Sequence, residues 1–550
     1  MFSRKFYVTF YCLFGLIYFI GLFIPLMNND SAHHAIIGLH MLLSGDYISL
    51  IDHGSDYLDK PHLLFWLSAI SYHVFGITSV GFKFPSLLFS ILGIYSTFRL
   101  GKLLYNKNTG RLAALILTST YAFILSNNDV RMDAVLTACI IFSIWQLAEF
   151  SEKNRWQNLV LSSLGLALGF STKGMIGAIL PCLAIVIHLT YQRNWKILFS
   201  WKWIIGIILF FLFISPVLVC YYIQFDLHPE KIIRGNSGIS GIKFILFSQN
   251  SERIAGTNFG SAGKNDPFFF IHTILWASLP WSILVFITLW KRIKQLIKKK
   301  FKYCHNMEVL TIGTIVLFLI LVSFSGFKLP HYINVILPLM AILVAGFLVR
   351  TFRKNSLKYL RLTQMVVVGI MLVLIAILNI QVFPIQSPLI VIGIILMLFS
   401  YYFLQRSLEG IRKTIALSLI ASVIVNFILN TNFYPQLLQY QAGNVLASRL
   451  NSKDNNTFYL TGFERSNSFD FYSERLTPDI LLQENTNLPK DALIYTGEAG
   501  INELKRYAIT FTQIDSAFDY RVSRAASIKF LNSTTRASIL KKHYLIKISN

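Results

Sequence analysis

Charge is scarce in this sequence: 14% of its 550 residues are Asp, Glu, Lys or Arg, against 54% hydrophobic and 15% aromatic. Soluble domains carry roughly 25% charged residues, so the soluble globular class is excluded. Acidic residues are scarcer still, 26 against 50 Lys and Arg, which leaves a formal charge of +24. Such an excess in a soluble chain would point to nucleic acid. Here the bases alternate with long apolar runs and read as cytoplasmic anchors, so no nucleic-acid partner is expected. Cysteine is nearly absent: Cys12, Cys139, Cys182, Cys220 and Cys304 lie within or beside apolar runs, with no CxxC pair. A disulfide framework and a thiolate metal site are both excluded. No small-residue cleavage site follows the first apolar run, which therefore reads as a retained span rather than a removed signal.

What the sequence has in abundance is apolar stretches long enough to cross a hydrocarbon layer as helices. Arg4 and Lys5 precede the run 6–27 and place its N-terminus in the cytoplasm. Further spans read near 84–103, 112–126, 134–150, 158–172, 175–190, 203–224, 268–290, 308–325, 332–350, 363–383, 388–405 and 414–430. That makes about 13, an odd count that puts the C-terminus outside. The short run 61–75 begins with Pro61 and holds Ser68, Ser71, Tyr72 and His73. Placing it along the outer surface, rather than across the membrane, keeps every basic loop inside.

Beyond residue 430 the composition becomes mixed. Segments 457–461, 492–496 and 508–512 read as strands, and 466–475 and 500–507 as helices. The expected architecture is an α-helical polytopic membrane domain over 1–430, with extracytoplasmic loops at 27–83 and 225–267, followed by a small extracytoplasmic α/β domain over 431–550.

Polar groups beside a membrane become informative when they converge on one face. With this topology four clusters do so. They are Asp30 with the tract Tyr57-Leu-Asp-Lys-Pro61; Asp129-Val-Arg-Met-Asp133; the loop 224–266 with Asn250, Glu252, Arg253 and Lys264; and Ser325-Gly-Phe-Lys-Leu-Pro-His-Tyr332. Lys173 lies at an outer span end and joins them. Carboxylates near cations at one membrane face suit transfer of a group from a phosphate-bearing lipid to a hydroxyl. Cations hold the leaving phosphate and a carboxylate takes the acceptor's proton.

The motifs carry a resemblance. Asp30, Leu43-Ser-Gly-Asp46, Tyr57-Leu-Asp-Lys-Pro-His-Leu63 and Phe84-Pro-Ser-Leu87 resemble the opening of the aminoarabinose lipid A transferase and dolichyl-phosphate-mannose protein mannosyltransferase family, of GT-C type. Arg131-Met-Asp133, Leu168-Gly-Phe-Ser-Thr-Lys-Gly174, Leu279-Pro-Trp281 and Phe327-Lys-Leu-Pro-His-Tyr332 resemble its later motifs. The likeness is specific over roughly 1–350 and extends beyond that only in layout.

The resemblance implies an inverting hexosyl- or pentosyltransferase of a bacterial inner membrane. It would take its sugar from undecaprenyl phosphate or a similar polyprenyl phosphate, act on a lipid A, glycan or protein acceptor outside the cytoplasm, and work as a monomer. Asp30 matches the family's base or acceptor-orienting aspartate, Asp59 its acidic residue at the metal or active centre, and Lys60 its carrier-phosphate lysine. Arg253 matches a later phosphate-binding arginine, and Asn250 sits near a metal-binding histidine of some members. Lys328 and Lys173 join the expected phosphate ligands, and Arg131, Asp133 and His33 the groups that organise the site. Four positions depart from the pattern: Ser31 replaces an acid, His33 a common Arg, Asp59 a Glu, and His62 a Pro. They leave a divalent metal at Asp59 and Asn250 as an open alternative, with no organic cofactor expected. Asp30, His33 and His34 share a helix face and form a second candidate metal set, against the commoner reading of solvated histidines. A lipid-linked sugar flippase, and a non-catalytic scaffold, are the competing readings.

Overall fold

The computed structural model describes residues 2–249, 251–252, 266–304, 307–351, 358–450, 458–461, 464–480, 488–522 and 527–549. Helix α1 (Arg4–Leu22) leads through a turn to α2 (Asp30–Ser44), a hairpin of β1 (Ile51–Asp52) and β2 (Ser55–Asp56), and the short α3 (Leu63–Phe75). Then follow α4 (Ser79–Leu104), α5 (Lys107–Thr118), α6 (Tyr121–Asn128), α7 (Asp133–Lys153), α8 (Trp156–Lys173), α9 (Ile176–Gln192) and α10 (Lys202–Tyr221). The second half holds α11 (Phe269–Ala277), α12 (Ser282–Lys298), α13 (Leu310–Ser323), α14 (Leu337–Thr351), α15 (Lys358–Ile377), α16 (Pro388–Ser407) and α17 (Gly410–Ile428).

Among the described residues, 8 helices are long and apolar enough to cross a membrane, or up to 9 when the bent pair α5 and α6 counts as one broken span. The protein is a multi-pass membrane protein, but the expected 13 spans are corrected downward. Helix α9 has 17 residues and α13 only 14. The run 268–290 is broken between α11 and α12, and α12 ends in the basic stretch Lys291–Lys298. Helix α8 is long enough, but its serines and glycines dilute its apolar character. A sliding window over sequence merges such pieces because it sees composition and not helix breaks.

Helix α7 is the axis of the bundle and packs most extensively on α8 and α4. Small residues allow the approach: a Cβ on Gly93 of α4 would lie 3.3 Å from the Cα of Ala138 on α7. Lys83 of α4 is wholly buried and donates to the carbonyls of Gly21 at 3.1 Å and Ile24 at 2.6 Å, satisfying the C-terminal end of α1.

The C-terminal part is a small β-containing domain. Helix α18 (Ala442–Ser448), β3 (Phe458–Thr461), α19 (Asn467–Tyr472), β4 (Asp479–Ile480), β5 (Leu493–Gly497), α20 (Glu498–Arg506), β6 (Phe511–Asp519) and β7 (Lys541–Ile548) form it. The sheet runs β4-β3-β5-β7-β6, with the first three strands parallel and β7 antiparallel to both neighbours. The strand expected at 508–512 begins later, because Ala508 takes a left-handed conformation in the turn that closes α20. Helix α19 docks on the membrane part. Phe471 is fully buried in a cluster with Leu26, Ala32, Ile36 and Tyr72, and the Tyr472 hydroxyl accepts from the Leu26 N–H at 2.7 Å.

Candidate active site

A cavity of about 210 Å³ opens where α2, the Tyr57–Lys60 tract, the start of α7, the end of α8 and the turn before α14 converge. Asp30, His33, Asp59, Lys60, Arg131, Asp133 and Lys173 line it, so one pocket gathers seven of the residues singled out in the sequence. Asp30 opens α2 after the N-cap Asn29, where a carboxylate is favoured by the helix dipole. Its Oδ2 accepts from Arg131 Nη1 at 3.2 Å, and the same guanidinium lies 3.0 Å from Asp129. Burial raises the Asp30 pKa, but the positive groups around it, of which Arg131 and Lys60 are the permanent cations, outweigh it and hold the carboxyl below its ordinary value. Asp30 is therefore ionised at neutral pH. His34, one turn further on and buried, is pushed down to about 3 by burial against the opposing pull of Asp30, and so is neutral.

Asp133 and Lys173 form a buried ion pair at 2.8 Å, with 3% and 8% of their side chains exposed. Lys173 Nζ also lies 5.0 Å from the Tyr332 ring. His331 links the two carboxylate groups: its Nδ1 accepts from Arg131 at 3.3 Å, and its Nε2 lies 3.8 Å from Asp133. His331 and Tyr332 are functional candidates that the sequence reading passed over. Both sit in the motif that ends in Pro330-His-Tyr332, where Pro330 starts the 3-10 turn that presents them.

Lys328 is not brought to the cavity. It is buried and its Nζ donates to the Asp266 carbonyl at 3.0 Å, because the extended Leu329 ahead of Pro330 separates its orientation from that of His331. Arg253 and Asn250 lie outside the described residues. Of the candidate metal pair only Asp59 lies among the described residues, and its carboxylate is already matched by a cation. Asp59 is ion-paired with Arg234, which also meets Glu252 at 3.0 Å and stacks on Phe244, and no group of three His, Cys, Asp or Glu among the described residues could hold an ion. The alternative set Asp30, His33 and His34 fails because His33 turns to Asp52, 2.9 Å away. Arg234 is a further residue the sequence reading missed, and only its proximity in the fold reveals it.

The geometry matches known proteins in sequence and shape. Residues 59–220 match the model of the dolichyl-phosphate-mannose-protein mannosyltransferase family. An uncharacterized protein of Aquifex aeolicus is 24% identical over 474 residues, covering 85% of each chain. The undecaprenyl phosphate-alpha-4-amino-4-deoxy-L-arabinose arabinosyl transferase of Pseudomonas paraeruginosa is 25% identical over 375 residues, or 66% of this chain. The match spans 63% of that relative's length. The crystal structure of ArnT from Cupriavidus metallidurans bound to undecaprenyl phosphate superimposes with a TM-score of 0.72 at 14% identity, over 99% of this chain and 98% of that one. By sequence and by fold, the chain resembles the ArnT-like polyprenyl-phosphate sugar transferases of the GT-C fold.

Proposed function

We propose that the protein is an integral membrane glycosyltransferase that moves a sugar from an undecaprenyl phosphate donor to a hydroxyl or phosphate of a lipid A, glycan or protein acceptor at the outer face of a bacterial inner membrane, with inversion. The observation that carries this reading is the convergence of Asp30, Lys60, Arg131 and Lys173 on one cavity. The likeness to transferases whose names specify undecaprenyl phosphate supports the donor class. The acceptor oxygen attacks the anomeric carbon as the bond from that carbon to the phosphate oxygen breaks. Phosphate leaves with the electron pair, held by Lys60. A leaving phosphate is already an anion and needs no general acid. Asp30, kept ionised by Arg131, accepts the hydrogen bond of the acceptor hydroxyl and takes its proton as the new bond forms. Its low pKa makes it a weak base, so orienting the nucleophile is the larger part of its role.

We assign 1–430 to the transferase domain and 431–550 to a periplasmic domain, with the N-terminus cytoplasmic. The basic stretch of α12 supports this orientation by the positive-inside rule, together with the docking of α19 beside the cavity. The test is transfer of radiolabelled sugar from a panel of undecaprenyl phosphate sugars by purified protein, beside Asp30→Asn and Lys60→Ala. Turnover by the wild type that both variants lose is the expected result. Full activity in either variant removes that residue's role, and carrier movement across liposomes without turnover replaces the transferase by a flippase.

A further inference from the structure

Behind the cavity the membrane part and the C-terminal domain meet through a chain of four ionisable side chains. His33, three residues beyond Asp30 on α2, lines the cavity and places its Nε2 2.9 Å from Asp52 Oδ2. The other oxygen of Asp52 lies 2.6 Å from His53 Nδ1, and His53 Nε2 lies 3.2 Å from Asp470 Oδ2 on α19. The cavity end of this line is partly exposed, 25% for the His33 side chain and 28% for Asp52, and the far end is buried, 5% for His53 and 0% for Asp470.

The links are held from both ends. His53 and Gly54 form the two-residue turn of the β1–β2 hairpin, both with positive φ, 48° and 80°. A histidine takes that conformation uncommonly, and here it points the ring between two carboxylates. On the other side Asp470 accepts from the Thr477 hydroxyl and is fixed between Phe469, stacked on Tyr495 at 4.5 Å, and the buried Phe471. Asn28, two residues before Asp30, donates its N–H to Gln441 at 2.7 Å, so the start of α2 is tied to the same domain.

We propose that Asp470 of the C-terminal domain is a positioning residue of the membrane site, which acts through His53 and Asp52 to fix the His33 ring in the cavity wall beside Asp30. Both ring nitrogens of His53 face carboxylates, Nδ1 in a hydrogen bond to Asp52 and Nε2 within ion-pair distance of Asp470, whose own carboxyl is pushed up by burial against the pull of His53. Burial opposes the charge of His53, but Asp470 and Asp52 outweigh both burial and the nearby Arg465 and raise its pKa to about 9. Burial likewise works against the Asp52 carboxylate, and the hydrogen bonds from His33 and His53 hold it below the ordinary range. One nitrogen of His33 is thereby committed to Asp52, and a ligand in the cavity meets a fixed ring rather than one free to turn.

The role rests on the transferase reading, so the experiment has one readout that needs no turnover. In the full-length protein, Asp470→Asn, Asp470→Glu and Asp52→Asn are compared for kcat, for donor KM, for melting temperature, and for the rate at which diethyl pyrocarbonate modifies His33, followed by peptide mass spectrometry. Asp470→Asn is expected to lower kcat about tenfold with KM little changed, and to speed His33 modification several-fold. Asp470→Glu restores part of each, and Asp470→Asn adds nothing in a His33→Ala background. Equal falls in kcat with and without His33, or an unchanged rate of His33 modification, would overturn the proposal. If Asp470→Asn fails to fold, Asp52→Asn cuts the same chain while leaving α19 in place, and the same two results decide. A wild type with no turnover sinks the transferase reading alone, since His33 modification still reads the chain.

Discussion

Helices α7 and α16 are both long, apolar and able to cross a membrane, yet 94% of the apolar window of α7 is buried inside the protein and none of that of α16. The difference is written in their minor residues. Helix α7 carries Ser143, Gln146 and Glu149, all buried, and each polar tip takes a protein partner because lipid offers none. Gln146 accepts from Asn158 at 2.7 Å, and Glu149 meets Arg99 at 2.9 Å and Lys153 at 2.8 Å. Up to its last turn α16 is almost entirely Leu, Ile, Val, Met, Phe and Tyr, which lipid solvates well. Hydropathy identifies the solvent of a helix; scattered polar residues identify its neighbours.

This contrast can be broken where it matters most, at the N-terminus of α7. Asp133→Ala strands Lys173 without its anion. It is expected to abolish transfer and to destabilise the protein by about 3–5 kcal/mol, whereas Asp133→Leu with Lys173→Met recovers stability without activity. Sugar transfer and thermal unfolding in one detergent read the two effects. Next in size is the core itself: Ile140→Ala on α7, fully buried, should cost about 2–5 kcal/mol, and melting that shifts no more than in surface variants would place α7 at the periphery.

A smaller effect follows from pH. The raised pKa of His53 means that its stabilisation is complete below 6.5 and lost as pH rises through about 9. The gap in melting temperature between wild type and His53→Gln should therefore be widest below pH 6.5 and close by about pH 9; a gap that widens with pH reverses the sign and rejects the ion pairs. On α16, Phe399→Ala removes a lipid-facing ring, 67% exposed, and should change stability by less than about 0.5 kcal/mol. Chelation should have the smallest effect of all and leave transfer unchanged, because Arg234 already supplies the positive charge at Asp59. A loss restored by added manganese would put a metal there instead.

The sequence made much of the site legible because local motifs carry it. Asp30, Asp59, Lys60, Arg131, Asp133 and Lys173 all reach the cavity, each fixed by a cap, a turn or a helix end next to it in the chain. Lys328 shares a motif with His331 yet faces away, since one extended residue reverses the direction of a side chain. Arg234 and Asp470 meet the site only through long-range folding, and no spacing announces them. The span count failed for a related reason. Helices α5 and α6 meet at a 51° bend, and α11 and α12 are separate short helices, neither of which an apolar average can see. In the C-terminal domain β5 lay close to its expected place, while β7, with Lys541, Lys542, His543 and Lys547, is too polar to be recognised before its neighbours are known.

The contact between Tyr472 and the backbone of Leu26 bears on biogenesis. Ribosomes deliver the N-terminal spans first, and helix α2 enters its final environment while the downstream chain is still being made. The turn that leads into α2 gains its last partners, Tyr472 and Gln441, only after the final domain has been synthesised and folded. A nascent or truncated chain therefore lacks two of the partners that hold the start of α2, and with it Asp30, in place.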